Sequence, residues 1–267
     1  MPIRSSLLGA FAAFAMGLVA SVSAAQTSAP TVKHLTNPNP THLLFVGNSY
    51  LYYGDSVHNH VRRMVAAAGL GDESDLKYKS VTISGGALSD HVIDSYILND
   101  RLRVKKPFDV VILQGGSALG WSKKRPAEFK ATVAEFAAKI KAAGGETALY
   151  MTHAYVPPHK RADPGMTAVL AKEYTEAGNA VGALVIPVGL AFEEAYKQRP
   201  DLMLHKSFDG SHPDLIGTYL AAATVFASIY GKSPVGNSYD YYGKIDKDMA
   251  HFLQEVAQKT VTAYYGR

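Results

Sequence analysis

The chain has 267 residues, of which 47% are hydrophobic and 19% charged, enough apolar side chain to bury a sizeable core and to set intrinsic disorder aside. It contains no cysteine, which excludes a disulfide framework, a thiolate zinc site and a cysteine nucleophile. The formal net charge of +4, from 27 basic and 23 acidic residues without a concentrated basic stripe, leaves no electrostatic footprint for nucleic acid.

The amino terminus reads as a removable segment. Arg4 precedes an apolar run from Leu7 to Ala20, and Ser23-Ala24-Ala25 ahead of Gln26 supplies the small residues of a cleavage site, the layout of a secretory signal. A membrane-spanning helix needs about 20 apolar residues, and Ser21 and Ser23 interrupt this run too early. Residues 1–25 are therefore expected to be cleaved, leaving a secreted or periplasmic protein with no stable membrane insertion. Residues 26–40, rich in Thr, Pro, Asn and Ser, read as an extended leader, and 41–267 as a single domain without internal repeats.

Within that domain, short β-branched runs alternate with helical periodicity. His42 to Gly47 reads as a buried strand, followed by Val57, Val61, Met64, Val65 and Ala68 at helical spacing. Tyr78 to Ser84 reads as a second strand and Phe108 to Gln114 as a third, the latter continuous in apolar residues as a strand covered on both faces should be. A helix from Ala127 to Ala143 stops at Gly144-Gly145. A strand from Thr147 to Thr152, a helix within Met166 to Val181 and a strand from Leu184 to Val188 follow. Asp214 to Tyr230 is an almost wholly apolar helix closed by Gly231, and Met249, Phe252, Leu253 and Val256 mark a last amphipathic one. This alternation implies βαβ units. The expected fold is a three-layer α/β/α sandwich around a mostly parallel five-stranded, flavodoxin-like sheet. Ligands bind such sheets outside the carboxyl ends of the strands.

Two motifs fall at that edge. Gly47-Asn48-Ser49 ends the first strand and enters a helix, which presents the Ser49 hydroxyl at the sheet edge as a candidate nucleophile. Asp209-Gly210-Ser211-His212 precedes the apolar helix, and an Asp three residues before a His can hold imidazole Nδ1 while Nε2 takes a serine proton.

Together the motifs resemble the SGNH hydrolases, or GDSL-like lipases and esterases, in which a Gly-Asp-Ser or Gly-Asn-Ser block follows the first strand and an Asp-x-x-His block precedes the last helices. The resemblance runs from about Thr41 to Tyr230. It implies a cofactor-free serine esterase with Ser49, His212 and Asp209 as its triad, acting on a small acyl ester, an O-acetylated carbohydrate being one such substrate. It also implies an oxyanion hole built from the Ser49 N–H, a glycine N–H after the second strand and an Asn side chain after the third. Gly85 or Gly86 fits the second place, Gly85 following Ser84 as the family's glycine often follows a serine. The third block departs from the family's Gly-x-Asn-Asp: the sequence reads Gln114-Gly115-Gly116-Ser117, and the Gln114 carboxamide is expected to replace the missing donor. Asn48 and Trp121 are taken as substrate-binding.

Other readings compete. Ser117 also ends a strand, but Leu119 stands where a Gly-x-Ser-x-Gly elbow needs glycine. His58, His60, His153 and His159 form no His-Glu-x-x-His pattern, and no metal is expected. Basic runs at Ser122 to Arg125 and His159 to Arg161 sit on the Ser49 edge and could steer an anionic substrate, although a solvated rim is the plainer account, while Tyr50, Tyr52 and Tyr53 could stack on a sugar or equally pack near the strand end. A catalytically silent glycan-binding domain on the same fold is the alternative to an enzyme; the intact Ser, Asp and His argue against it.

Overall fold

The computed structural model describes Met1, residues 29–98 and residues 100–267, so the expected signal, apart from Met1, lies outside the described residues. The strands are β1 (His42–Gly47), β2 (Lys77–Thr82), β3 (Val110–Leu113), β4 (Glu146–Tyr150) and β5 (Leu184–Ile186). They lie in the order β2-β1-β3-β4-β5, and every pairing is parallel, the flavodoxin-like arrangement. The helices are α1 (Ser49–Tyr52), α2 (Val57–Ala67), α3 (Asp94–Ile97), α4 (Arg125–Ala142), α5 (Met166–Val181), α6 (Val188–Gln198), α7 (Leu215–Tyr230) and α8 (Lys247–Tyr265).

Side-chain alternation along the strands divides the core in two. Leu43 and Phe45 of β1, Val110 and Ile112 of β3 and Ala148 and Tyr150 of β4 join the apolar faces of α2, α6, α7 and α8. Leu44, Val46, Val111, Leu113 and Leu149 face the other way and pack with α4 and α5. Both faces are thus covered, which is why these strands read as unbroken apolar runs. Helix α7 is buried from Gly217 to Tyr230, enclosed by its neighbours α2, α6 and α8.

The sequence expectation differs from the structure chiefly after β4. The strand expected to reach Val188 ends at Ile186, and α6, unforeseen as a separate helix, starts at Val188. The apolar run from Ala183 to Phe192 hides the junction, although Val188, Ala191, Phe192 and Ala195 recur at helical spacing and are buried. Residues 29–40 are fastened to the amino-terminal edge of the sheet, away from the strands' carboxyl ends. Asn179 accepts from the Thr31 N–H at 2.8 Å, and the Glu146 carboxylate accepts from the Thr36 and Asn37 N–H groups at 2.8 and 2.9 Å. Among the described residues, no helix is long and apolar enough to cross a membrane.

Candidate active site

Ser49 is placed by the abrupt passage from β1 into α1. Gly47 leaves no room for a side chain, because a Cβ there would run into the Gln114 carboxamide and come within 2.9 Å of the Leu51 Cδ1. Asn48 caps α1 by accepting the Tyr50 N–H at 3.2 Å, which leaves Ser49 at the helix amino terminus. Its residue is only 6% exposed.

Asp209 and His212, the candidate acid and base, come from a tight excursion ahead of α7. His205 and Pro213 pair antiparallel, while the Lys206 N–H donates to the His212 carbonyl at 2.7 Å and the Asp214 N–H to the Leu204 carbonyl at 2.8 Å. At the tip, Gly210 adopts φ +62°, and a side chain there would strike the Val156 carbonyl. Asp209 Oδ1 accepts the N–H groups of Ser211 and His212 at 2.8 and 3.0 Å, and Oδ2 lies 2.6 Å from His212 Nδ1. The carboxylate requires a proton on Nδ1, so Nε2 is the acceptor facing Ser49 Oγ at 2.9 Å. Burial opposes ionisation of Asp209, but the imidazole and the two N–H donors outweigh it and hold the carboxyl below its ordinary value.

Aromatic rings enclose this relay. Tyr53 stacks on the His212 imidazole with centroids 4.2 Å apart and planes 20° from parallel, and Tyr50 meets it edge-on at 5.6 Å. Tyr50 in turn stacks on His153 at 4.6 Å, and His153 on Phe192 at 4.2 Å. Ser211 is gripped twice: its hydroxyl pairs with the Tyr50 hydroxyl at 2.7 Å, and its carbonyl accepts from His153 Nε2 at 2.9 Å. Burial drives the His153 pKa well below the ordinary value and takes His205, which donates to the Ala154 carbonyl, down to about 4. Both are neutral props. For Tyr50 and Tyr53 the sequence leaves sugar stacking and buried packing near a strand end equally open, and the structure gives Tyr50 the buried place; nothing local to the sequence signals the role of His153.

The expected oxyanion hole is altered in two places, at Gln114 and at Gly86. Gln114 is fully buried, its Oε1 accepts the Asn48 N–H at 2.8 Å, and its Nε2 donates to the Gly115 carbonyl. Only an oxygen can face that N–H, so the amide orientation is fixed and Gln114 does not present its NH₂ to the pocket. It is a brace beneath the nucleophile loop. The Gly86 N–H donates to the Ile83 carbonyl at 3.0 Å, and the Gly115 N–H to the Tyr174 hydroxyl at 2.9 Å, so neither is free. Asn48, expected to bind substrate, instead donates Nδ2 to the Gly86 carbonyl at 3.0 Å and is nearly buried. Among the described residues, the N–H groups of Ser49, Gly85 and Gly116 at this edge have no internal acceptor.

The remaining candidates lie around the rim. Trp121 is exposed and carries the Arg161 guanidinium 3.4 Å above its ring, which joins the two basic loops. Ser117 is bonded to the Tyr155 hydroxyl at 2.6 Å, not to an imidazole. His58 and His60 lie on α2, and His159 stacks on Tyr155. Among the described residues, no group of three or more His, Asp or Glu side chains could hold a metal ion.

The sequence matches no family model and no curated protein. Solved structures do match. A protein of the DUF4886 family from Bacteroides uniformis is 21% identical, with a TM-score of 0.63 over 84% of this chain and 95% of that one. A proposed SGNH hydrolase from Slackia heliotrinireducens is 20% identical, with a TM-score of 0.57 over 71% of this chain and 99% of that one. This chain has an SGNH-hydrolase fold. The acetyl xylan esterase AlAXEase shares it at 14% identity, with a TM-score of 0.53 over 70% of this chain and 98% of that one.

Proposed function

We propose that this SGNH-fold protein is a serine ester hydrolase. The observation that carries the reading is the unbroken relay from Asp209 through His212 to Ser49, with separations of 2.6 and 2.9 Å, at the carboxyl edge of the sheet. Ser49 Oγ attacks the ester carbonyl while its proton passes to His212 Nε2. Asp209 holds the other nitrogen protonated and stabilises the imidazolium. The tetrahedral oxyanion is received by the N–H groups of Ser49 and Gly85, with Gly116 as third donor in place of the family's Asn. Imidazolium then protonates the departing alcohol, and water, deprotonated by the same base, hydrolyses the acyl-enzyme and restores Ser49.

The acyl group is small, acetyl being its smallest form, and the alcohol is a carbohydrate hydroxyl. Support for a carbohydrate comes from the acetyl xylan esterase with the same fold and from exposed aromatic rings at Tyr52, Trp121 and Phe208, on which a sugar can stack. No cofactor enters these steps. The reading of residues 1–25 as a secretory signal supports activity outside the cytoplasm, which the amino-terminal residue of protein recovered from the periplasm or medium would check.

Ser49→Ala should reduce turnover of a short activated ester by at least about 10⁴-fold with the fold intact. A fluorophosphonate should label Ser49 in the folded wild-type protein. Absence of labelling together with glycan binding would favour the silent binding domain.

A further inference from the structure

A cavity of about 170 Å³ opens beside the nucleophile loop and takes no part in the relay. It lies between the loops after β2 and β3 and the first turns of α4. Gly85, Gly86 and Gly116 line it on the side of the nucleophile loop, where Asn48 Nδ2 bonds the Gly86 carbonyl, and Leu88, Leu119 and Phe129, all buried, form its floor. Asp90, Arg125 and Glu128 stand at its rim, where Arg125 Nη1 pairs with the Glu128 carboxylate at 2.9 Å and both side chains are about half exposed.

We propose that this cavity is the acyl slot and that it is filled by an acyl group of about six non-hydrogen atoms, an occupant on the scale of the benzene held by an apolar cavity of similar size. The inference rests on the ester hydrolase reading. It follows from the layers of the sandwich. His212 reaches Ser49 from α7, on one face of the sheet, whereas Leu88, Leu119 and Phe129 belong to the apolar cluster of α4 and α5 on the other. Because His212 must protonate the leaving oxygen, the alcohol lies on the α7 side of the tetrahedral carbon. The acyl substituent is thereby directed to the α4 side, where the cavity begins at two glycines. The charged rim sets the upper limit, since a longer chain would have to pass among Asp90, Arg125 and Glu128 and strip them of water.

Each methylene seated on the floor should raise kcat/KM about fourfold, so activity should climb on the order of a hundredfold from acetyl to hexanoyl esters and then fall toward decanoyl. Ala118 lines the slot without touching the relay. Ala118→Leu should lower kcat/KM for the hexanoyl ester at least about tenfold while changing the acetyl ester little. Ala87→Leu, on the opposite wall, provides the same comparison should the first variant fold poorly. A binding arm separates this proposal from the hydrolase reading. Ser49→Ala protein, titrated with hexanoate and acetate by calorimetry or NMR, should bind hexanoate more tightly, and Ala118→Leu or Ala87→Leu should erase the difference. Equal binding of the two acids, or a chain-length profile untouched by either filling variant, would overturn the slot. Retained hexanoate preference with no turnover of any ester would overturn the hydrolase reading alone.

Discussion

The two sides of Ser49 are built in opposite ways. On the α7 side, to which the proposed mechanism assigns proton transfer, the relay is wrapped in side chains: Tyr53 and Tyr50 on His212, His153 between Tyr50 and Phe192, and Ser211 held from two directions. On the α4 side, to which the proposed mechanism assigns the oxyanion and the acyl group, the cavity wall is largely backbone, lined by Gly85, Gly86, Gly115 and Gly116. Proton transfer tolerates little error in distance, so the base is immobilised by packing. Oxyanion stabilisation needs N–H groups at close approach, so side chains are removed.

The largest way to break the contrast is to charge the packed side. His205 is pushed down to about 4 by burial, whereas in the unfolded chain it titrates near 6.5. Because the folded value is depressed, the stabilisation is complete above about pH 6.5 and is lost as pH falls toward 4. The loss at this one residue amounts to about 3 kcal/mol, and His153, shifted in the same direction, adds to it. Thermal unfolding followed from pH 7 to 4 should show a steep fall in Tm that is shallower in His205→Asn. A slope unchanged by that substitution would remove His205 as its source.

A smaller effect tests the backbone-lined side. Gln114→Ala strips the Asn48 N–H of its buried acceptor and the Gly115 carbonyl of a donor, at a cost of about 2 kcal/mol in stability by chemical denaturation. Turnover should fall because Asn48 and Ser49 shift. Gln114→Glu, when protonated, keeps an acceptor for Asn48 and a donor for the Gly115 carbonyl, so it should recover part of the stability at acid pH and lose it as the buried carboxyl ionises. A direct oxyanion donor would instead lose turnover with stability unchanged.

The smallest effect sharpens the role of Tyr53. Its ring face lies on His212, where it fixes the plane of the imidazole. Tyr53→Leu should lower kcat several-fold with KM little changed, because the ring that orients the imidazole toward Ser49 is lost. Tyr53→Phe keeps the ring face and should restore the rate. Equal losses in the Leu and Phe variants would place the effect in the hydroxyl and not in the stacked ring.

The backbone frame and the three relay residues were legible because each depends on local pattern. Unbroken apolar runs mark strands covered on both faces, β1 was read to its observed ends, and Asp209 and His212 share one turn. What was not legible depends on partners distant in the chain. The direction of the Gln114 carboxamide is set by an N–H 66 positions away, and the same amide could have faced the pocket had Asn48 been turned. The Asn48 side chain is committed by the Gly86 carbonyl on another loop, and Tyr53 finds His212 only through tertiary packing. The start of α6 was lost for a different reason, because one apolar run serves both β5 and the helix after it.

Helix α7, enclosed along nearly its whole length, begins three residues after His212. An element so surrounded opens to solvent only when the domain as a whole does, and its amides should be among the slowest to exchange. The base is thus moored to a segment with little freedom to fray, while Ser49 hangs on the four-residue α1. On warming, loss of catalytic competence ahead of global melting should therefore originate at the nucleophile, with the imidazole still in register until the helical signal itself collapses.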